Sequence, residues 1–232
     1  MKKAIITQSN YIPWKGYFDS ISATDVFVVY DDMQYTRRDW RNRNLIKTPS
    51  GVKWLTIPVE VKGKYFQKIK DTRIADPGWI KNHWEVIRQN YKDAPHFREM
   101  SAWIEPLYMA CTFEFLTEVN LYFIEAINEF LGIHTTICYS SEFKLEEEKT
   151  MRLVGICKDI GATDYYSGLS AKAYMNEGLF EENNIRLHYW DYSGYRPYPQ
   201  LHGDFIHEVS ILDVIFNCGH ETSSFMKFLQ KT

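Results

Sequence analysis

Two short apolar runs separated by one helix-length segment constrain the fold of this chain more than any other feature. Residues 3–7 (KAIIT) are apolar and bounded by polar residues, and residues 26–30 (VFVVY) are continuously apolar and rich in β-branched side chains. Both read as buried strands. Between them, residues 11–23 carry Pro13 near the start and place Tyr17 and Ile21 on one face, the pattern of a loop feeding a helix. Strand, helix and strand within about 30 residues make a βαβ unit, and therefore a parallel pair joined by a right-handed crossover.

The rest of the chain extends that plan. Residues 37–73 hold eleven Lys/Arg against three acids, with residues 54–59 (WLTIPV) as a strand among them. We read about 36–75 as an inserted, basic, β-rich segment. Helices are expected at about 77–91, 95–108 and 113–131. The last is apolar at 115, 116, 119, 123, 127 and 130, with Gly132 where a C′ glycine belongs. A strand at 135–139, a helix at 145–160 closed by Gly161, strands at 164–167 and 186–190, and a final helical pair from 209 complete the pattern. The expected fold class is α/β, with a mainly parallel, Rossmann-like sheet, the basic insertion and a helical middle segment. At 232 residues, a single domain over 1–232 is expected.

Composition narrows the function. The net charge of −3 argues against a DNA binder working through global charge, although the basic stretch leaves RNA open. No apolar run is long enough to cross a bilayer. The start, MKKAIITQ, breaks its apolar stretch at Gln8 and lacks a small-residue cleavage site, so a cytoplasmic protein is expected. Cysteines 111, 138, 157 and 218 form no CxxC pair, HExxH is absent and His202 and His207 stand five apart, so no protein metal cage is expected. The unusual number is aromatic content, 16% of the chain. Several rings lie beside polar residues in expected loops: Tyr11 with Trp14, Tyr35 with Trp40, and the stretch 189–198. Aromatic faces beside amides and hydroxyls suit sugars and nucleobases.

In open parallel sheets, ligands bind beyond the carboxyl ends of the strands. Two polar clusters fall there, residues 7–11 (TQSNY) and 31–35 (DDMQY). Asp31 and Asp32 offer a general base or a magnesium ligand, and Asp32 is the one expected in the site. Arg37, Arg38, Arg41 and Arg43, interleaved with Trp40, Asn42 and Asn44, form a dense fork of donors that matches an anion such as the diphosphate of a nucleotide sugar. A third cluster, Ser167, Gly168, Ser170 and Lys172, sits at a turn expected to open a helix and to present N–H groups to an anion. His83, in an expected helix, is a candidate acid or base; His188, His202, His207 and His220 show no usable spacing.

The order of these segments resembles the WbqC-like protein family. QSNYIPWKGYF, DVFVVYDDMQYTRRDWRNRNLIKTPSG and WLTIPV carry the resemblance first. NHWEVIRQNYKDAPHF, GATDYYSGLSAKAY and VSILDVIFNCG continue it over nearly the whole chain. Many members have a histidine immediately before the glutamine, where this chain has Thr7. The resemblance implies a place in bacterial surface-polysaccharide (O-antigen, lipopolysaccharide) biosynthesis and the modification of a nucleotide-linked amino sugar. The layout is also similar to nucleotidyltransferase-like folds, but their HxGH motif is absent.

The expected activity is transfer of an amino acid or other acyl group onto the sugar's amino group, with ATP or an activated acyl or aminoacyl donor as possible co-substrate. His83 or Asp32 would take the amine's proton, and Gln8, Asn10 or Asn42 would meet the developing oxyanion. Arg38, Arg41 and Lys172 would hold phosphates, while Tyr11, Tyr17, Tyr35 and Trp40 would supply binding surface. Nucleotidyl or glycosyl transfer with magnesium on Asp31 or Asp32, and a non-catalytic sugar-nucleotide or RNA-binding module built from residues 35–73, stand as alternatives.

Overall fold

The computed structural model describes residues 1–229. Five parallel strands form the central sheet: β1 (Lys3–Thr7), β2 (Val26–Val29), β5 (Thr136–Tyr139), β6 (Asp164–Gly168) and β7 (Arg186–Trp190), in the order β5-β2-β1-β6-β7. Alternation along the strands feeds two cores. Ile5, Phe27 and Val29 point to one face, Ala4, Ile6, Val26 and Val28 to the other. A sheet apolar on both faces needs cover on both. α1 (Lys15–Ser22), α2 (Trp79–Tyr91), α3 (Phe97–Ala110), α4 (Leu116–Leu131) and α7 (Ile211–Cys218) cover the first, α5 (Lys149–Asp159) and α6 (Glu177–Glu182) the second. The α/β expectation holds.

The basic segment contains a hairpin of β3 (Arg43–Thr48) and β4 (Gly51–Thr56), paired antiparallel from Arg43↔Thr56 to Thr48↔Gly51. Pro49 and Ser50 form its two-residue loop, and Gly51 takes a φ of +106° that suits glycine. The expected strand at 54–59 thus begins and ends three residues earlier. The turn fixes the register, and past Thr56 the backbone turns to other partners: Ile57 N–H donates to the Asn42 carbonyl and Pro58 has no N–H. β3 escaped the sequence pattern because RNLIKT alternates poorly and its Lys47 is buried.

The middle helices form as their periodicity predicts, and Gly132 ends α4 at φ +71°. Two expectations are corrected. The final helical pair is one α-helix followed by 3-10 turns over Gly219–Phe225, because Gly219 (φ +55°) breaks the helix beside His96. The turn at 167–172 leads into a short 3-10 segment, Leu169–Ala173, rather than an α-helix, so no helix dipole is aimed there.

Candidate functional site

From β1 the chain moves outward to β2 and β5, then returns to the other side of β1 for β6 and β7. The connections therefore diverge at the β1/β6 boundary, which opens a crevice beyond the carboxyl ends of those strands. A cavity of about 750 Å³ occupies it. Thr7 and Gln8 from the end of β1 and Gly168, Leu169 and Ser170 from the end of β6 line it. Trp14, Tyr17, Tyr192 and Tyr195 provide aromatic walls, and Trp40, Arg41 and Asn44 close it from the basic segment.

Arg41 is the charged centre of the floor. Its guanidinium donates to Asn10 Oδ1 and, at 3.0 Å, to Gln8 Oε1. Both partners are neutral amides. The nearest carboxylate, Asp39, is 3.9 Å away and is itself bonded by Thr36. A mostly buried guanidinium fixed by neutral groups keeps most of its charge for an anionic ligand. Tyr17 donates to the Gln8 carbonyl at 2.9 Å and so steadies the same loop.

That loop is strained. Ile12, β-branched and fully buried, sits at φ +35°. Its carbonyl accepts from Asn44 Nδ2 at 3.0 Å and Ser210 Oγ at 2.8 Å, and Ile211 N–H donates to the Pro13 carbonyl at 2.9 Å. The hairpin and α7 together hold the turn that carries Asn10 and Trp14 to the cavity. On the far wall, Tyr195 donates to the buried Asp19 carboxylate at 2.6 Å.

Of the residues singled out in the sequence, Gln8, Asn10, Tyr17, Trp40, Arg41, Gly168 and Ser170 meet at this cavity. Trp14, Asn44, Tyr192 and Tyr195, also named there, line it too, whereas Asp31, Asp32, His83, Tyr11, Tyr35, Arg38, Asn42, Ser167 and Lys172 lie elsewhere. Asp32 accepts from Lys70 at 2.7 Å, Lys68 at 3.2 Å and Ser140 at 2.9 Å. Burial pushes its carboxyl up, but these donors outweigh burial and hold it below the usual range. Its neighbour Asp31 accepts from Ser9 N–H, Ser9 Oγ and Thr117 Oγ1 at 2.6–2.8 Å, and burial raises its pKa. His83 lies under the β-hairpin: Nδ1 is 2.9 Å from the Tyr11 hydroxyl and Nε2 3.1 Å from the Thr56 carbonyl. Tyr11 is fully buried and also bonds Tyr108. Asn42 is a buried tie to the Ile57 carbonyl, Tyr35 is buried, and the buried Ser167 accepts from the Tyr165 hydroxyl at 3.4 Å. Arg38 is exposed at φ +59°, and Lys172 rests over the Tyr189 ring at 5.5 Å.

The sequence pattern that defines the WbqC-like protein family matches residues 8–225. The chain belongs to the WbqC-like protein family. The uncharacterized protein Rv1507c of Mycobacterium tuberculosis (strain ATCC 25618 / H37Rv) is 47% identical over 231 residues, covering 100% of both chains. No solved structure matches the chain.

Tyr192 and Tyr195 enter the sequence reading only as part of the ring stretch 189–198, His207 has no role there and Glu208 is absent from it, yet all four line this cavity. The cluster of rings at 189–198 was the available signal for the first two. His207 had none, because the sequence does not show that Lys15, near the other end of the chain, lies beside it. Its Nδ1 is shielded from solvent with no protein partner, and its ring lies edge-on to Phe205 at 4.6 Å. Burial lowers its pKa, and the Lys15 ammonium lowers it further against the opposing pull of Glu208. Lys15, 2% exposed, donates to the Arg196 carbonyl at 2.9 Å and sits among the Tyr195, Tyr198 and Phe205 rings at 4.8–5.9 Å. Burial brings its pKa down to about 8. Among the described residues, no helix is long and apolar enough to cross a membrane.

Proposed function

We propose that this WbqC-like protein is an enzyme that acylates the amino group of a nucleotide-linked amino sugar, forming an amide. The observation that carries this reading is Arg41, pinned by the neutral amides of Gln8 and Asn10 at the divergence of the sheet and facing an aromatic-walled cavity. Such a floor suits the ligand's phosphates. The Trp14, Tyr192 and Tyr195 walls suit its sugar or base.

In the reaction, the amine nitrogen attacks the acyl carbon, the leaving group departs with its electron pair, and the nitrogen surrenders a proton. Geometry favours His207 for that proton. It lines the cavity and, with Nδ1 shielded from solvent, would take the proton through Nε2, which bonds no protein group among the described residues. Burial holds its pKa below the ordinary histidine value, whereas the nitrogens of His83 and the oxygens of Asp32 are already bonded to the protein. The Gly168–Ser170 backbone lines the same space, as a candidate donor to the developing oxyanion, whereas both amide protons of Asn44 are given to the Tyr11 and Ile12 carbonyls. We favour acyl transfer over a magnesium-dependent reaction on Asp31 or Asp32 because both carboxylates are occupied by protein donors.

The test begins with thermal shift. Nucleotide-linked sugars bearing a 3-amino or 4-amino group should raise the melting temperature, and their hydroxyl counterparts should raise it less. Mass spectrometry with ATP plus amino acid, or with acyl-CoA, then reads amide formation. His207→Asn should keep the shift and lose turnover. If every nucleotide sugar leaves the melting temperature unchanged, the reading fails.

A further inference from the structure

Residues 62–66, Lys-Gly-Lys-Tyr-Phe, are exposed without a break and form the tip of a loop in the basic segment. Tyr65 is 74% and Phe66 82% exposed, more than any other aromatic ring among the described residues. The loop is nevertheless firmly built. Lys64 N–H donates to the Val61 carbonyl at 3.3 Å and Gln67 N–H to the Lys64 carbonyl at 3.2 Å, with Gly63 at φ +74°. Side chains tie it down as well: Gln34 Nε2 to the Tyr65 carbonyl at 2.8 Å, Gln67 Nε2 to the Glu60 carbonyl at 2.7 Å and Arg37 to the Val61 carbonyl at 3.0 Å. The fold thus holds two large rings in water at the end of an ordered turn, which opposes the usual burial of such side chains.

Charge indicates what covers them. Among the described residues Lys62 has no partner and Lys64 has only the exposed Glu60, while Arg37 is bonded to a neutral carbonyl. The tip is cationic around an aromatic end, although the whole chain carries −3. Tyr65 and Phe66 pack edge to face, with centroids 4.9 Å apart and planes at 90°. A single convex pair of this kind is a poor stacking platform for a nucleic-acid strand, which uses open ring faces along a groove. It fits a bilayer interface, where aromatic rings settle at headgroup depth and lysines meet lipid phosphates.

We propose that residues 62–66 dock the protein on an anionic lipid surface, Tyr65 and Phe66 entering the interface and Lys62 and Lys64 meeting phosphates. The tip follows β4 and is tied by Gln34 and Arg37 to the segment that leaves the carboxyl end of β2, and the same basic segment contributes Trp40 and Arg41 to the cavity. Docking there turns that end of the sheet toward the bilayer. The inference stands apart from the acyl-transfer reading.

The experiment is co-sedimentation of the full chain with sucrose-loaded vesicles of phosphatidylcholine, alone or mixed with phosphatidylglycerol. The protein should pellet with the mixed vesicles, less so as salt rises. A Tyr65→Ser/Phe66→Ser double variant should lose about tenfold in partitioning, as expected for removing two interfacial rings, with an unchanged melting curve because neither ring is packed in the core. Wild-type protein remaining in the supernatant with mixed vesicles overturns the proposal, as does a double variant that pellets like wild type. Loss of oligouridine binding in the double variant, with vesicle binding intact, assigns the tip to nucleic acid instead.

Discussion

The two polar regions at the carboxyl end of β1 look alike in sequence and behave differently in the structure. Toward β2, Asp31 gathers Ser9 and Thr117, and Asn120 donates at 2.9 Å to Ser9 Oγ and to the Arg41 carbonyl. Every member is buried, with α4 laid over the strand ends. Toward β6 no helix closes the gap, and Gln8, Asn10 and Arg41 face a cavity. One region is a sealed staple and the other an open cavity. The difference is which side of β1 a helix covers, and strand divergence leaves the β6 side open. The two buried lysines make the same contrast. Lys47 gives its protons to Gln200 Oε1 and to the Gly203 and Asp204 carbonyls, whereas Lys15 has one carbonyl and three ring faces.

The comparison is broken most sharply at Asp31. Asp31→Ala strands the Ser9 N–H and two hydroxyls in the interior and should cost about 3–5 kcal/mol in denaturant unfolding. A loss below about 1 kcal/mol would mean that the staple holds nothing together.

His83 supplies the next effect. Burial holds its pKa near 4 against 6.5 when free. Between those values the unfolded chain binds the extra proton, so stability falls as pH drops from about 6.5 to about 4, by about 3 kcal/mol in all. Carboxylates contribute over part of this range, so the readout is the difference from His83→Gln, whose stability should vary less with pH. Parallel curves for the two proteins would refute the assignment.

Lys15 should behave in the opposite sense from a stabilising residue. Its ammonium is buried without a carboxylate, so Lys15→Met should raise stability by about 1–2 kcal/mol, while Lys47→Met, which leaves three acceptors unmet, should lower it. In wild type the cost of charging Lys15 fades as pH rises from about 8 toward 10.5, so stability gains with pH there and the variant should not share the gain. Lys15→Met should also raise the His207 pKa, read by NMR titration of its ring protons.

The smallest effect on stability belongs to the arginines. Arg38→Ala and Arg41→Ala should each shift unfolding by under about 1 kcal/mol. They should part in ligand binding: Arg41→Ala weakens a nucleotide sugar by at least about tenfold, and Arg38→Ala leaves it unchanged. Equal losses would return Arg38 to the site.

The architecture was legible because it depends on local pattern. Apolar runs at 3–7 and 26–30 specify buried strands, helical spacing at 115–130 specifies α4, and Gly132 and Gly161 mark helix ends at positive φ. The polar residues after β1 and in the arginine fork were visible as a group, and Gln8, Asn10, Trp40 and Arg41 come from them. Sequence spacing could not separate Arg41 from Arg38, because the two differ in backbone direction: Arg38 lies at positive φ and points to solvent. Nor could it separate Asp31 and Asp32 from a site, since their occupants, Thr117, Ser140, Lys68 and Lys70, arrive from distant elements.

By itself the sequence determined the α/β alternation, the family and the polar segments that reach the end of β1, because each is written in residues adjacent along the chain. Only the tertiary structure decided which of those segments is sealed and which is open. It also placed the buried Lys15 near His207, 192 positions away by their numbering, so that its charge lowers the His207 pKa. Burial and partner geometry make that choice, and both depend on contacts between residues that the chain itself keeps far apart.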